Sequence, residues 1–296
     1  MTAANYSNQI VLDMVRLSPL MDRSRGREEI VIGLVDGPVA DGIPALATAT
    51  FLRLPRSATP GRLPSGSAAY EHGTAVAAIL LAERGSAAPA ICPGCTILLL
   101  PIFGGSTSAT PLTFTATPEM LAEAIVSATA ARVQVINLSV SLLAPTARAE
   151  RTLKLALDFA AHRGTIVVAA AGNQGIVGGG ALVGHPWVLP VAGSTLTGAP
   201  LGVSNLGASI GRRGLACPGE NVTSIGSNGG AISIGGTSIA AAFVTGAISL
   251  LWSEYPDATA AAIKQAILHP YTRRRGIMPP LLDAWGAYKT LKQILL

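Results

Sequence analysis

Glu29-Ile30-Val31-Ile32-Gly33-Leu34-Val35, followed at once by Asp36-Gly37-Pro38, is the stretch that decides the fold. Its apolar, β-branched residues do not alternate with polar ones, so both faces of the strand they form must be covered. A strand buried on both faces belongs to a parallel sheet, because the crossovers between parallel strands lay helices over both faces. Similar runs recur at residues 96–103, 133–140, 165–169 and 187–191. Helical stretches lie between them. One is expected over 72–82, after a long loop. Thr117-Pro118-Glu119 joins a capping hydroxyl, a proline at the first helical position and an acid at the positive helix end, and alanine-rich sequence continues to Arg132. Residues 145–163 form another helix, ended by Gly164, and residues 238–254 form the most apolar one. Asp257 is expected to cap a helix reaching His269, and residues 279–296 a last one. Such alternation predicts an α/β fold with a mainly parallel central sheet.

The 296 residues fit one large body over 29–296, preceded by an extension over 1–28 that is too short to fold alone. The extension is expected to be helical, packing Ile10, Val11, Met14 and Val15 on the body. With 49% hydrophobic and 12% charged residues, the chain is neither disordered nor fibrous. The net charge of +5 is thinly spread. Its densest run, Arg273-Arg274-Arg275, has only Tyr271 near it, which suits a solvated turn and not a nucleic-acid partner. Three cysteines are too few and too odd for a disulfide scaffold. Cys92-Pro93-Gly94-Cys95 would need two more ligands to hold zinc, for which Cys217 and His185 are only loose candidates. Residues 84–95, 104–118 and 174–219 contain no Asp or Glu, so no calcium site is expected either. The first 29 residues hold no continuous apolar leader, and residues 239–252 read as a buried core helix, not a membrane span. No membrane partner and a cytoplasmic location are therefore expected.

Chemistry in open parallel sheets sits at the carboxyl ends of strands. Asp36 lies there, although an aspartate before Gly-Pro can equally be a turn former; Asp41 is a rival carboxylate with no strand to fix it. His72 is read as opening its helix, where the positive helix end would keep the ring neutral and able to accept a proton. His162, His185 and His269 all have easy structural readings at helix ends or beside a proline. Ser238 starts an apolar helix after Gly235-Gly236-Thr237, a place that offers backbone N–H groups to a developing oxyanion but also suits an ordinary capping serine. Asn173, just past the fourth strand, is either a turn residue or an amide donor.

Together, in the order Asp36, His72, Asn173, Ser238, these residues resemble the subtilisin family over about residues 29–268. The likeness is carried by His72-Gly73-Thr74, Asn137-Leu138-Ser139, Ala170-Ala171-Gly172-Asn173 and Gly236-Thr237-Ser238-Ile239-Ala240-Ala241. Asp36-Gly37-Pro38-Val39 and the stretch from Cys92-Pro93-Gly94-Cys95 to Pro101-Ile102-Phe103 are most similar to cyanobactin-type maturation proteases, which trim ribosomally made peptides. The resemblance implies a three-layer subtilisin-like fold with helices on both faces and a serine endopeptidase without cofactor. Asp36, His72 and Ser238 would be its triad, with Asn173 as oxyanion donor. An extended peptide would pair with the edge Leu138, Ser139, Val140 and Ser141 beside Gly172, with residues 104–108 as the opposite rail. The substrate would be a short precursor such as a ribosomal peptide leader. A transpeptidase or macrocyclase using the same acyl-enzyme, and a silent peptide-binding relative, are the alternatives.

Three departures from the family pattern matter. Asp36-Gly37-Pro38 lacks the usual hydroxyl beside the acid, so backbone donors are expected to hold the aspartate. Ala242 replaces a proline in the helix's first turn. Ser141 and Leu142 stand where relatives commonly have two glycines that open the primary specificity pocket. Cleavage is therefore expected after small or modest side chains. A diverse peptide library digested by pure protein checks this: efficient cuts after Phe and Tyr, among many unrelated residues, would contradict it.

Overall fold

The computed structural model describes residues 3–54, 66–103, 115–142, 147–269 and 276–296. In chain order the strands are β1 (Val31–Asp36), β2 (Thr50–Arg53), β3 (Thr96–Pro101), β4 (Thr115–Ala116), β5 (Val135–Leu138), β6 (Ser141–Leu142), β7 (Ile166–Ala170), β8 (Val188–Ser194), β9 (Leu215–Pro218), β10 (Val222–Ile225) and β11 (Ala231–Ile234). The helices are α1 (Ala3–Met14), α2 (Ser18–Arg23), α3 (Ala68–Leu81), α4 (Pro118–Ala130), α5 (Ala147–Arg163), α6 (Ala181–Gly184), α7 (Ala208–Arg213), α8 (Thr237–Glu254), α9 (Ala260–Leu268) and α10 (Ala284–Leu295). Seven strands form one parallel sheet in the order β2-β3-β1-β5-β7-β8-β9.

The apolar runs are buried on both faces, as a parallel sheet requires. Successive side chains in a strand point to opposite faces, and the two cores divide accordingly. Ile32, Leu34, Ile97, Leu99, Val135, Val168 and Val191 pack with α3, α8, α9 and α10 on one face. Val35, Leu98, Leu100, Ile136, Leu138, Val167 and Val188 pack with α4 and α5 on the other. Helix α8 is buried from Thr237 to Ser253, and its hydroxyls are satisfied internally: Ser249 donates to the Thr245 carbonyl (2.9 Å) and Ser253 to that of Ser249 (2.7 Å). By length and composition it could cross a membrane, but 94% of it is buried in this protein, so it is a core helix.

The chain runs from β1 outward to β2 and β3 and then returns to β5 on the other side of β1. The carboxyl end of β1 is thus the switch point of the sheet, where open α/β folds bind ligands.

Several boundaries differ from expectation. Ser67 caps α3 by accepting from the Tyr70 N–H (3.3 Å), so the helix begins at Ala68 and not at His72. Thr259, not Asp257, caps α9, and Asp283 caps α10. The glycine-rich stretch 193–230, which carries no apolar run in sequence, contains β9 and β10. In the extension, Val11 and Val15 are buried with Leu12, Leu17 and Leu20, whereas Ile10 is exposed. Asn8 acts as a strand edge there: its amide donates to the Thr223 carbonyl (2.9 Å) and accepts from the Thr223 N–H (3.1 Å), sealing β10. The basic run 273–275 lies outside the described residues.

Phe243, fully buried on α8, tests this packing. Phe243→Ala should cost about 3–5 kcal/mol and lower the melting temperature by on the order of 10 °C. An unchanged melting curve would contradict the burial of α8.

Candidate active site

Asp36 ends β1 and is completely buried. Its Oδ1 accepts from the Gly37 N–H (2.6 Å) and lies 2.7 Å from His72 Nδ1. Its Oδ2 has no hydrogen-bond partner among the described residues. A backbone donor therefore takes part in holding the acid, as the loss of the neighbouring hydroxyl led us to expect.

The two residues meet because two backbones touch. A Cβ at position 37 would collide with the Ala69 carbonyl of α3. A Cβ at position 73 would stand 2.5 and 2.6 Å from the carbonyl oxygens of Gly37 and Pro38. Only glycine at both places lets the loop after β1 lie flat on the first turns of α3. Thr74 completes the junction, accepting from the Ala40 N–H (2.9 Å) and donating to the Tyr70 carbonyl (2.7 Å). Across α3, Glu71 accepts from the Ser227 N–H (2.9 Å) and hydroxyl (2.7 Å), and Ser224 donates to the Ala75 carbonyl (2.8 Å).

The histidine's electrostatics differ from the expectation drawn from sequence. His72 lies past the first turn of α3, so the helix end does not govern it. Burial of the ring opposes protonation, but the charge and hydrogen bond of Asp36 outweigh it, and His72 titrates above the ordinary histidine value.

Ser238 sits in the first turn of α8, which packs along α3, and is nearly buried. Beside it, the Thr237 N–H donates to Asn173 Oδ1 (2.9 Å), while Thr237 Oγ1 accepts from the Gly172 N–H (3.2 Å). This fixes one end of the exposed Asn173 amide and commits its oxygen, so that its NH2 is the end left for chemistry. Thr237 was not singled out in the sequence, where it read only as part of the glycine-serine turn.

The residues of the expected substrate edge sit in different settings. Leu138 pairs with Val35 on one side and Ala169 on the other, so it is interior to the sheet. Ser139 donates its N–H to the Val35 carbonyl (3.2 Å), and its hydroxyl accepts from Asn137 Nδ2 (2.9 Å). Asn137 Oδ1 in turn accepts from Thr245 (2.8 Å), tying α8 to β5. The Val140 side chain is buried, but its backbone and those of Ser141 and Leu142 lie past the end of β5, with β4 paired to β6 in parallel. Gly172 also has both backbone groups engaged: its carbonyl accepts from the Asn205 N–H (2.9 Å) and its N–H meets Thr237. It shapes the turn that carries Asn173. The proposed rail, 104–108, lies outside the described residues.

His185 meets Asp158 through Nε2 (3.0 Å) and accepts from the Trp187 N–H (3.3 Å), a structural role. Cys92, Cys95 and Cys217 are buried free thiols. Among the described residues no three of His, Cys, Asp and Glu gather closely enough to hold a metal ion.

Comparison with known proteins agrees with this geometry. The subtilase family profile matches residues 28–286. Mycosin-3 of Mycobacterium tuberculosis is 30% identical over 247 residues, 65% of this chain and 52% of that protein. Mycosin-1 from the same organism is 32% identical over 48% of this chain and 40% of its own length, so the chain spans about half or less of these curated relatives. Among solved structures, the protease domain of PatA superposes with a TM-score of 0.80 at 29% identity, covering 90% of this chain and 97% of that one. The prenylagaramide maturation protease PagA gives 0.79 at 27% identity, covering 93% and 98%. The PatG macrocyclase domain, at 18% identity and a TM-score of 0.80, shares the fold. With a family match over nearly its whole length and the same sheet and helices as these proteases, this chain belongs to the subtilase family.

Proposed function

We propose that the chain is a serine endopeptidase whose reacting groups are Asp36, His72 and Ser238, with Asn173 as an oxyanion donor. The observation that carries this reading is the 2.7 Å contact between His72 Nδ1 and the buried Asp36 carboxylate at the switch point of the sheet. That contact fixes the ring and its tautomer, so that proton exchange with a nucleophile falls to Nε2. Ser238 Oγ then attacks the scissile carbonyl, His72 takes the hydroxyl proton and passes it to the leaving amine, and Asp36 stabilises the imidazolium in between. Water repeats the sequence on the acyl-enzyme. The Asn173 NH2 and the N–H groups at the start of α8 would receive the oxyanion.

The substrate we infer is a short unfolded precursor peptide. Support comes from the similarity to PatA and PagA, both described as maturation proteases. An extended peptide would approach the backbone of Val140 and Ser141, the part of the expected edge that lies past the end of β5.

A fluorophosphonate, which phosphonylates activated serines, tests the assignment without a known substrate. It should modify Ser238, and Ser238→Ala should lose both labelling and peptide cleavage. His72→Ala should lower turnover by about 10⁴-fold. Undiminished cleavage by folded Ser238→Ala would refute the assignment.

The raised His72 value also fixes a pH dependence. A histidine whose folded value is raised adds stability that is complete below its unfolded value and fades as pH rises through the folded one. Activity runs the other way, because the base must be neutral. Labelling should therefore rise with pH through a midpoint above 6.5, the ordinary value. In Asp36→Asn the attraction of the carboxylate charge is lost while burial remains, so the midpoint should fall. A midpoint that does not move would remove Asp36 from this role.

A further inference from the structure

The loop that carries Asn173 is shaped by a side chain outside every motif. Asn205 is buried, with 9% exposure. Its Nδ2 donates to the Ala171 carbonyl (3.1 Å) and to Gln174 Oε1 (2.6 Å). Its Oδ1 accepts from the N–H groups of Gln174 (3.1 Å) and Ile176 (3.2 Å). Its own N–H donates to the Gly172 carbonyl (2.9 Å). These contacts fall on both sides of Asn173 and none falls on Asn173 itself. An amide used at both ends acts as a template, because the loop must curve to meet its donors and acceptor at once. Gly172 fits that curve with φ +102°, and a Cβ there would collide with Asn205 Nδ2.

We propose that Asn205 is a positioning residue for Asn173. It sets the curve of the 171–176 loop, while Thr237 fixes the far end of the Asn173 side chain, so the NH2 is aimed before substrate arrives. This rests on the reading of Asn173 as an oxyanion donor. A purely structural role would be to hold two surface segments together, but backbone pairing already does that. The Gly175 N–H meets the Val203 carbonyl (2.8 Å), that of Leu206 meets Ile176 (3.0 Å) and that of Gly178 meets Leu206 (2.8 Å). Removing the Asn205 amide should therefore loosen the curve without detaching the loop.

Saturation kinetics of fluorophosphonate labelling at Ser238 test this, because the phosphonyl oxygen occupies the oxyanion's place. Asn205→Asp keeps the size and one acceptor but sets a second acceptor against the Ala171 carbonyl and Gln174 Oε1. It should lower the maximal labelling rate by about 10–100-fold with the half-saturation concentration nearly unchanged; a lower melting temperature is expected from the buried acceptor, so the rate is compared well below it. In an Asn173→Ala background it should add less than about 2-fold. If Asn205→Asp does not fold, Asn205→Ser is measured in the same way. Parent-rate labelling by a folded Asn205 variant while Asn173→Ala is slow, or losses that multiply in the double variant, would overturn the inference. Parent-rate labelling by Asn173→Ala alone would instead overturn the oxyanion reading, and this inference with it.

Discussion

A carboxylate with no exposed surface, buried at the end of an otherwise apolar strand, is the constraint on which the rest of the site depends. An unpaired buried charge of this kind costs several kcal/mol. Asp36 is offset by the Gly37 N–H and by His72, and both contacts require α3 to lie directly against the end of β1. The side-chain-free contact between residues 37 and 73 permits that approach. Glu71, Thr74 and Ser224 then anchor α3 to the surrounding loops, so the ring is held by the helix as well as by the acid.

The other half of the site is organised by α8. Thr245 reaches Asn137 on β5, and Thr237 reaches Gly172 and Asn173 just beyond β7. Strands β1, β5 and β7 are neighbours, spaced by roughly 4.8 Å, so their carboxyl ends gather the acid, the Asn137 network and the oxyanion candidate along one edge within about 10 Å. These buried polar links are made between helix and sheet and not within either. A shift of α8 along the sheet would break them together, which is why Ser238 has one register.

The five buried strands were legible because each is a continuous apolar run, and the carboxyl-end rule picked Asp36 out from Asp41. Strands β2 and β9 were not legible. They are short edge strands, and β9 is embedded in glycine-rich sequence where periodicity has too few residues to show. The start of α3 was missed because Ser67 follows a long sequence stretch rich in proline, glycine and polar residues, and its capping bond to Tyr70 leaves no distinctive pattern. The interior position of Leu138 was not legible either. Sequence marks 138–141 as one run, but pairing on both sides of Leu138 ends the sheet within it. Asn205 had no signal at all, since a loop asparagine reads as a turn former until its partners across the fold are known. The electrostatics of His72 were misjudged in direction, since the ring is raised by Asp36 and not held down by a helix end, for a similar reason. A helix end is visible in sequence, whereas the distance to a carboxylate is not.

The most direct test of the central claim is a crystal structure of the protein after fluorophosphonate treatment. The account predicts phosphorus bonded to Ser238 Oγ, the phosphonyl oxygen within hydrogen-bond distance of Asn173 Nδ2, and His72 Nδ1 still on Asp36 Oδ1. An adduct on another residue, or a phosphonyl oxygen turned away from Asn173 with His72 parted from Asp36, would contradict it.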